Sequence, residues 1–259
     1  LVEVDSGQVI SLAKPGEEVS NVKISPDGNQ AIVLTRDKLR LFNTNDGMAQ
    51  FTLPLGLSSY GLERSSTPAY SPDGKYVLSG SSDGIIDLWD ISLGKSIRTV
   101  KVNCFVRALS FSSDGEYALS GGSDNIVRLW NAKNLTQVKK FVGHTGYGIW
   151  SVAFSPDGKY ALSAGNDGQV KIWDLATETE LGPLAGHISG GAGGYGASAK
   201  FSPNGKYVIS AGDASTRIWD VSTGEELATM IAFEDGEWIV TTPNGYYNSS
   251  PKGDQYLSV

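Results

Sequence analysis

Short runs of alternating apolar and polar residues recur along this chain, and glycine-containing turns separate them. The stretches "YALSA" at 160–164 and "VKIWD" at 170–174 have the two-residue period of a half-buried β-strand. Asp-Gly and Asn-Gly pairs, which tolerate the positive φ of a tight hairpin turn, stand between many of these runs. The pattern predicts an all-β protein built from short antiparallel strands.

The strands belong to an internal repeat. Equivalent turn glycines are separated by 46, 41, 43, 47 and 40 residues; they are Gly28, Gly74, Gly115, Gly158, Gly205 and Gly245. Each copy predicts four strands in roughly 43 residues, too few to bury both faces of a sheet alone, so each copy must stack on the next. The repeat therefore predicts a ring of blades.

The chain resembles the WD40-repeat β-propellers. Trp-Asp or Trp-Asn pairs at Trp89, Trp130, Trp173 and Trp219, and Gly-His pairs at His144 and His187, carry the resemblance. It implies four-stranded antiparallel blades at about 14–53, 54–100, 101–143, 144–185 and 186–232. The whole chain is then expected to be a single propeller domain.

The two ends of the chain are expected to share one more blade. Residues 233–259 contain a predicted hairpin but lack the repeat Trp and a fourth strand, whereas residues 1–13 align with the end of a third strand followed by a fourth. Six blades are therefore expected, with the N-terminal strand closing the ring and removing both free sheet edges. Seven blades stay open if the chain is part of a larger ring. The last segment also resembles the closing blade of bacterial WD40 regions, which suggests a bacterial protein with further domains.

The resemblance also implies a buried hydrogen-bonded set of His, Ser, Asp and Trp in some blades. Two copies match; their residues are His144, Ser163, Asp167 and Trp173, and His187, Ser210, Asp213 and Trp219. Other copies have no His before the pairs of Ser79 with Trp89 and of Ser120 with Trp130. Those blades are expected to lose part of the network, at a cost of about 1 kcal/mol per missing bond.

Composition excludes several classes of protein. The net charge of −7 and the pI near 4.9 disfavour nucleic acid and anionic membrane surfaces as partners. The single cysteine, Cys104, rules out an intramolecular disulfide and a cysteine-ligated zinc site. The sequence contains no run of about 18 apolar residues, so it predicts no membrane span. Neither a metal nor another cofactor is expected, and a cytoplasmic location is favoured.

Two glycine motifs suggest chemistry but lie in the wrong structural context. "GSSDG" at 80–84 fits the nucleophile elbow of hydrolases, and "GAGGYG" at 191–196 fits the dinucleotide fingerprint. Both motifs need a following helix, whereas here each precedes a predicted strand. We expect no catalytic residue from either, and the second is expected to be a loop between blades.

In WD40 proteins, the residues that recognise partners lie at the start of the first strand of each blade, called here the inner strand, and just before the turn Asp. Carried over by position, with adjacent loop tyrosines, the candidate binding residues are Arg36, Tyr60, Arg64, Phe105, Arg107, Tyr147, Trp150 and Tyr195. Tyr, Trp and Arg dominate the energetics of protein interfaces, and such a cluster indicates a recognition surface. The alternative for Phe105 and Trp150 is packing between blades.

The sequence therefore predicts a non-catalytic, monomeric scaffold that binds a protein or peptide on the loop face of a propeller. One alternative is a module that binds a small ligand or a glycan through the same aromatic residues. A second is a propeller hydrolase with a metal in the central channel, which would need convergent acidic or His side chains there. The sequence assigns no such cluster.

Overall fold

The computed structural model describes residues 19–35, 38–54, 67–185, 187 and 198–256, and β-strands dominate these ranges. Strands of the first half are β1 (Val19–Ile24), β2 (Gln30–Thr35), β3 (Lys38–Asn43), β4 (Ala49–Pro54), β5 (Ala69–Tyr70), β6 (Tyr76–Gly80), β7 (Ile85–Asp90), β8 (Lys95–Lys101), β9 (Val106–Phe111), β10 (Tyr117–Gly122), β11 (Ile126–Asn131) and β12 (Gln137–Val142). Strands of the second half are β13 (Ile149–Phe154), β14 (Tyr160–Gly165), β15 (Gln169–Asp174), β16 (Glu180–Ala185), β17 (Ser198–Phe201), β18 (Tyr207–Gly212), β19 (Ser215–Asp220), β20 (Glu226–Ala232), β21 (Trp238–Thr241) and β22 (Tyr247–Ser249). A 3-10 helix spans Gly253–Tyr256.

Within the described ranges the strands form five antiparallel sheets. Four are four-stranded, with the orders β1-β2-β3-β4, β5-β6-β7-β8, β9-β10-β11-β12 and β13-β14-β15-β16. The fifth is six-stranded and runs from β17 to β22 in chain order. The all-β class and the four-stranded antiparallel repeat predicted from the sequence are thereby confirmed.

A recurring turn fixes the first hairpin of each sheet. In the second sheet, the Ser71 hydroxyl donates to Asp73 at 2.6 Å, and the Tyr76 amide donates back to Ser71 at 2.9 Å. Gly74 follows with φ +70°, a conformation that favours glycine. Turns of the same construction begin at Ser25, Ser112, Ser155 and Ser202.

The chain divides into two compact units, the first comprising Leu1–Asp124 and Arg128–Val138 and the second Asn125–Val127 and Lys139–Val259. In the first unit, Ile32 and Leu41 of one sheet pack in a cluster with Val77 and Trp89 of the next. Apolar residues alternate along β3 and β7, so each strand directs one row of side chains into such a cluster. A sheet in this unit thus covers the Trp-bearing face of its neighbour.

The second unit repeats this packing rule. Leu162 and Ile172, which are paired across β14 and β15, form a cluster with Val208 and Trp219 of the fifth sheet. The corresponding residues of the fifth sheet are Ile209 and Ile218, a cross-strand pair that is 47% and 37% exposed. Their equivalents in the four other sheets are at most 4% exposed; they are Ile32, Leu41, Leu78, Leu88, Leu119, Leu129, Leu162 and Ile172. One apolar face of the fifth sheet is therefore uncovered by the described residues.

The expected sixth, separate blade is not confirmed. The hairpin β21-β22 extends the fifth sheet, because β21 pairs with β20 from Thr229 opposite Thr241 to Ala232 opposite Trp238. The cause is a tight turn: the Phe233 amide donates to the Glu237 carbonyl at 2.8 Å, and Gly236 has φ +87°. So short a connection joins neighbouring antiparallel strands of one sheet. Ring closure by residues 1–13 lies outside the described residues.

Candidate partner-binding surface and the networks that support it

A buried hydrogen-bond chain crosses the fourth sheet. Trp173 Nε1 donates to Ser163 Oγ at 2.8 Å, and Ser163 Oγ lies 2.7 Å from His144 Nε2. His144 Nδ1 lies 3.0 Å from both carboxylate oxygens of Asp167. A carboxylate only accepts, so Nδ1 carries a proton and, in the neutral ring, Nε2 accepts from Ser163. The chain therefore runs in one direction, from Trp173 through Ser163 and His144 to Asp167.

The fifth sheet has the same arrangement. Trp219 Nε1 donates to Ser210 Oγ at 2.8 Å, and His187 Nε2 lies 2.7 Å from that oxygen. His187 Nδ1 lies 2.6 Å from Asp213, which also accepts from Ser215 Oγ at 2.7 Å. In both sheets these hydrogen bonds connect the loop before the first strand to the second and third strands.

The Asp167 carboxylate is held in its ionised form. Burial alone would raise its pKa, but the His144 hydrogen bond and the backbone amides of Thr145 and Gln169 outweigh that effect, and the pKa lies below its ordinary value. The Thr145 amide donates at 2.9 Å and the Gln169 amide at 3.1 Å. Asp167 therefore also fixes the backbone that precedes β13 and the turn between β14 and β15.

The second and third sheets, which have no such His, keep only the inner part of this network. In the second sheet, Trp89 Nε1 donates to Ser79 Oγ at 2.8 Å. In the third, Trp130 Nε1 donates to Ser120 Oγ, also at 2.8 Å. The Trp–Ser bond thus recurs in four sheets, whereas the turn Asp bonds to Ser81 in the second sheet and to Arg128 in the third.

Two residues after each Trp-bonded serine, one position distinguishes the sheets. It is Gly165 in the fourth sheet, where an added Cβ would lie 2.7 Å from His144 Nδ1 and 2.7 Å from Asp167 Oδ1. In the second sheet it is Ser81, whose hydroxyl donates to the turn residue Asp83. The absence of a side chain makes room for the His ring, and Ser81 supplies a hydroxyl where no ring is present. Comparing the repeats at this position would have shown the difference from sequence alone.

The third sheet places a cysteine where the fourth has its histidine. A Cβ at Gly122, the equivalent of Gly165, would lie 2.8 Å from Cys104 Sγ. Arg128 Nη1 lies 3.9 Å from this sulfur, and Nη2 pairs with the turn residue Asp124. Burial and the charge of Asp124 raise the pKa of the Cys104 thiol to about 11. Cys104 is therefore a protonated packing residue, and Arg128 takes over the pairing with Asp.

Four predicted partner-binding residues lie outside the described residues: Arg36, Tyr60, Arg64 and Tyr195. In the first unit, Phe105 and Arg107 are half-buried at the start of β9. The Phe105 amide donates to Ser123 Oγ at 2.9 Å, and the Arg107 carbonyl accepts from the Thr67 amide at 3.3 Å. Hydrogen bonds to the turn between β10 and β11 and to the residues before β5 thus fix the backbone here.

The second unit carries the other two described candidates. Trp150 is half-buried as the second residue of β13, the position equivalent to Arg107 in β9. Tyr147 is 61% exposed between Gly146 and Gly148, whose φ values are +83° and +119°. Tyr147 is thus presented to solvent, whereas Trp150 is only partly exposed.

The described residues can be compared with the requirements of a metal site and of a membrane-spanning helix. Within the described ranges there is no group of three or more His, Cys, Asp or Glu residues that could hold a metal ion. Among the same residues, no helix is long and apolar enough to cross a membrane.

Comparison with known proteins identifies the repeat. The family model described as "WD domain, G-beta repeat" matches residues 66–90, 94–131, 135–174 and 180–220, together more than half of the chain. The chain belongs to the WD40-repeat family. The family predicted from the Trp-Asp and Gly-His pairs is confirmed, while a bacterial origin stays a prediction.

Three proteins are similar to this chain over short stretches. A stretch of 46 residues, 18% of the chain, is 44% identical to the small ribosomal subunit protein RACK1z of Arabidopsis thaliana and to RACK1 of Brassica napus, and spans 14% of each. A stretch of 96 residues, 36% of the chain, is 31% identical to protein tipD of Dictyostelium discoideum and spans 15% of it. The matches therefore cover only a small part of these relatives.

Proposed function

We propose that this WD40 chain is a non-catalytic scaffold that binds a protein or peptide at the starts of its inner strands. The observation that carries the proposal is Tyr147, an exposed tyrosine on a fixed backbone. The Asn166 amide donates to the Gly148 carbonyl at 2.9 Å, and Asn125 Nδ2 donates to the Gly146 carbonyl at 3.0 Å. An aromatic side chain on a pre-ordered backbone loses less conformational entropy on binding than one on a flexible loop, which favours its use as an anchor.

Phe105 and Arg107 support the same reading at the equivalent place in the first unit. Both combine partial exposure with a backbone that is hydrogen-bonded to the rest of the unit. Aromatic and Arg side chains in such settings are typical interface anchors. We include the candidates Arg36, Tyr60, Arg64, Trp150 and Tyr195 in the proposed surface by position in the repeat.

The relatives support the class of partner in general terms. RACK1z and RACK1 are named as proteins of the small ribosomal subunit, that is, as members of a macromolecular assembly. The shared stretch is short, so we take from it a protein partner rather than the ribosome itself. We propose a monomeric protein that acts in the cytoplasm.

The test is affinity capture from lysate of the source cell, followed by measurement of Kd for the captured protein. The bait variant is Arg107→Ala with Tyr147→Ala, and the matched control is Lys140→Ala with Tyr246→Ala, whose wild-type side chains are exposed elsewhere. We expect the first pair to weaken binding at least about 30-fold and the control to weaken it less than about 2-fold. A captured protein that binds both variants equally would refute this surface.

We also propose that the exposed face of the fifth sheet is covered in solution, as a six-bladed ring closed by residues 1–13 would require. The exposure of Ile209 and Ile218, where the other sheets are buried, supports this. Ile209→Glu is the test, with Leu162→Glu as the buried reference. If the face is covered in solution, both substitutions lower the free energy of unfolding by about 3 kcal/mol or more. A neutral Ile209→Glu would argue against the ring.

A further inference from the structure

A cavity of about 480 Å³ lies in the first unit, between the sheet β5–β8 and the sheet β9–β12. Leu88 and Ala132 are buried, and Ile97, Phe111 and Tyr76 are half-buried along its wall. The volume falls within the roughly 300–1,000 Å³ of small-ligand pockets, which are likewise mostly apolar. The cavity can therefore receive an apolar group larger than one side chain.

This cavity is separate from the proposed partner-binding positions of the same unit. The turns that line it are Ser71–Asp73, Asp114–Gly115 and Ala132–Lys133, and they join β5 to β6, β9 to β10 and β11 to β12. In an antiparallel sheet these turns lie at the opposite end from the turn between the second and third strands. Phe105 is hydrogen-bonded to that other turn through Ser123.

The two carboxylates at the rim already have donors. Asp73 accepts from the Ser71 hydroxyl at 2.6 Å and from the Lys75 amide at 3.1 Å. Asp114 accepts from the Ser112 hydroxyl at 2.6 Å and from the backbone amide two residues on. In each case the serine hydrogen bond is the main reason that the pKa lies below its ordinary value. Both groups are therefore ionised and hydrogen-bonded within their own turns.

The two cations at the rim have spare donors. Arg98 Nη1 donates at 2.7 Å to the carbonyl of the preceding residue, Ile97. In the part of the chain that the structure describes, neither Arg98 nor Lys133 forms an ion pair with a carboxylate. The unmet capacity at this rim is thus for an anion, and a guanidinium and an ammonium suit a carboxylate.

We propose that this cavity binds an apolar carboxylate. The aryl or alkyl body contacts Leu88, Ile97 and Phe111, and the carboxylate is held by Arg98 and Lys133. Apolar burial supplies most of the affinity, and the two cations select the sign of the charge. A free organic acid and the C-terminal residue of a peptide share this chemistry.

Calorimetric titration with three probes of one shape tests the charge selection. The probes are 2-naphthoate, the neutral 2-naphthamide and the cationic 2-naphthylmethylammonium. We expect 2-naphthoate to bind saturably and about 10-fold more tightly than the amide, and the ammonium to bind least. Equal or tighter binding of the ammonium, or no saturable binding of the acid, would overturn the proposal.

Two double variants locate the binding. Arg98→Gln with Lys133→Gln removes the rim cations, whereas Lys95→Gln with Lys140→Gln removes the same charge from exposed positions that do not line the cavity. The first pair should reduce the affinity for 2-naphthoate to that for the amide, and the control should leave it within about 2-fold. Equal losses in both pairs would show a general charge effect and refute the site.

A variant that blocks the cavity tests whether binding occurs there, and a pair of peptides tests the source of the ligand. Ile97→Trp fills the cavity and should abolish binding of both the acid and the amide; the charge variants decide the matter if this one does not fold. Acetyl-Gly-Gly-Phe with a free carboxylate, compared with its C-terminal amide, tests the peptide source. Preference for the peptide acid over its amide supports a C-terminal ligand, and preference for naphthoate alone supports a free acid.

Discussion

The fourth and fifth sheets differ from the second and third in how their turn Asp is used. His144 and His187 connect Asp167 and Asp213 to the central Ser–Trp pair, so one chain of hydrogen bonds joins the outer loop to the core. In the second and third sheets the Ser–Trp pair stands alone, and the turn Asp bonds to a residue of its own neighbourhood. The same fold therefore tolerates two levels of connection between loop and core.

One position explains the difference between the fourth sheet and the second in steric terms. Glycine at 165 leaves the space that His144 occupies, while Ser81 bonds its own turn Asp, and Gly122 faces the smaller thiol of Cys104. A His in a loop is therefore not sufficient for the network, because the strand beside it must also lack a side chain. Four of the five sheets keep the Trp–Ser bond, and the outer part of the network varies among them.

The largest test of this comparison is Gly165→Ser, which gives the fourth sheet the residue of the second. The new Cβ would lie 2.7 Å from two atoms that are held in the network. We expect the free energy of unfolding to fall by about 3 kcal/mol or more, since the clash also disrupts buried hydrogen bonds.

The reciprocal Ser81→Gly is its control, because it removes one hydroxyl and creates no clash. That loss should be about 1 kcal/mol, measured by urea denaturation at constant m. A Gly165→Ser protein as stable as the reciprocal variant would contradict the steric argument.

Next in size is the loss of the central serine. Ser163→Ala leaves both Trp173 Nε1 and His144 Nε2 without a partner, whereas Ser120→Ala leaves only Trp130 Nε1. With about 1–3 kcal/mol for each unsatisfied buried group, we expect a loss near 3 kcal/mol in the fourth sheet and about half of that in the third. Equal losses would mean that His144 adds nothing to the network; equilibrium denaturation of the two variants decides.

A smaller effect is the pH dependence of the stability that Asp167 contributes to the fourth sheet. Hydrogen bonds from His144 and two backbone amides hold the pKa of Asp167 in the folded protein below its ordinary value, so its contribution to stability is complete above about pH 4 and is lost as pH falls through the folded-state pKa. Asp167→Asn should therefore cost about 1–2 kcal/mol at pH 7 and progressively less towards pH 3. Denaturation midpoints at several pH values measure this, and a difference that grows on acidification would have the wrong sign.

The smallest effect concerns the outer strands. Arg217 pairs with Glu226 at 3.1 Å, and the equivalent Lys171 pairs with Glu180 at 2.8 Å. The second sheet has Asp87 at this position, where it accepts from the Ser96 hydroxyl at 3.0 Å. We expect Glu226→Gln to lower stability by at most about 0.5 kcal/mol, because the pair is partly solvated. Melting temperatures of Glu226→Gln and Asp87→Asn give the comparison. A larger drop for Glu226→Gln would show that the ion pair stabilises the protein more than the neutral hydrogen bond of Asp87 does.

The sequence was sufficient wherever a local signal determines local geometry. The Asp-Gly turns specify hairpins because few residues other than glycine adopt positive φ. The hydrogen bonds of His144 with Ser163 and Asp167 join residues 19 and 23 positions apart, and they were expected only from the resemblance to the family. The pairing of β20 with β21 was missed because it depends on the turn around Gly236, which competes with the start of a new blade. The apolar cavity was missed because residues as distant as Ser71 and Lys133 line it.

The five serine-containing turns have a consequence for how the chain folds. Each is closed by bonds within six residues, as from Ser155 to Tyr160, so the entropy lost in forming its hairpin is small. Hairpins of this kind form in microseconds, and five nearly identical ones give the chain several equivalent places to begin. Disabling one turn therefore leaves four other starting points. We expect the rate of refolding to change little and the rate of unfolding to increase, because the damaged sheet is less stable.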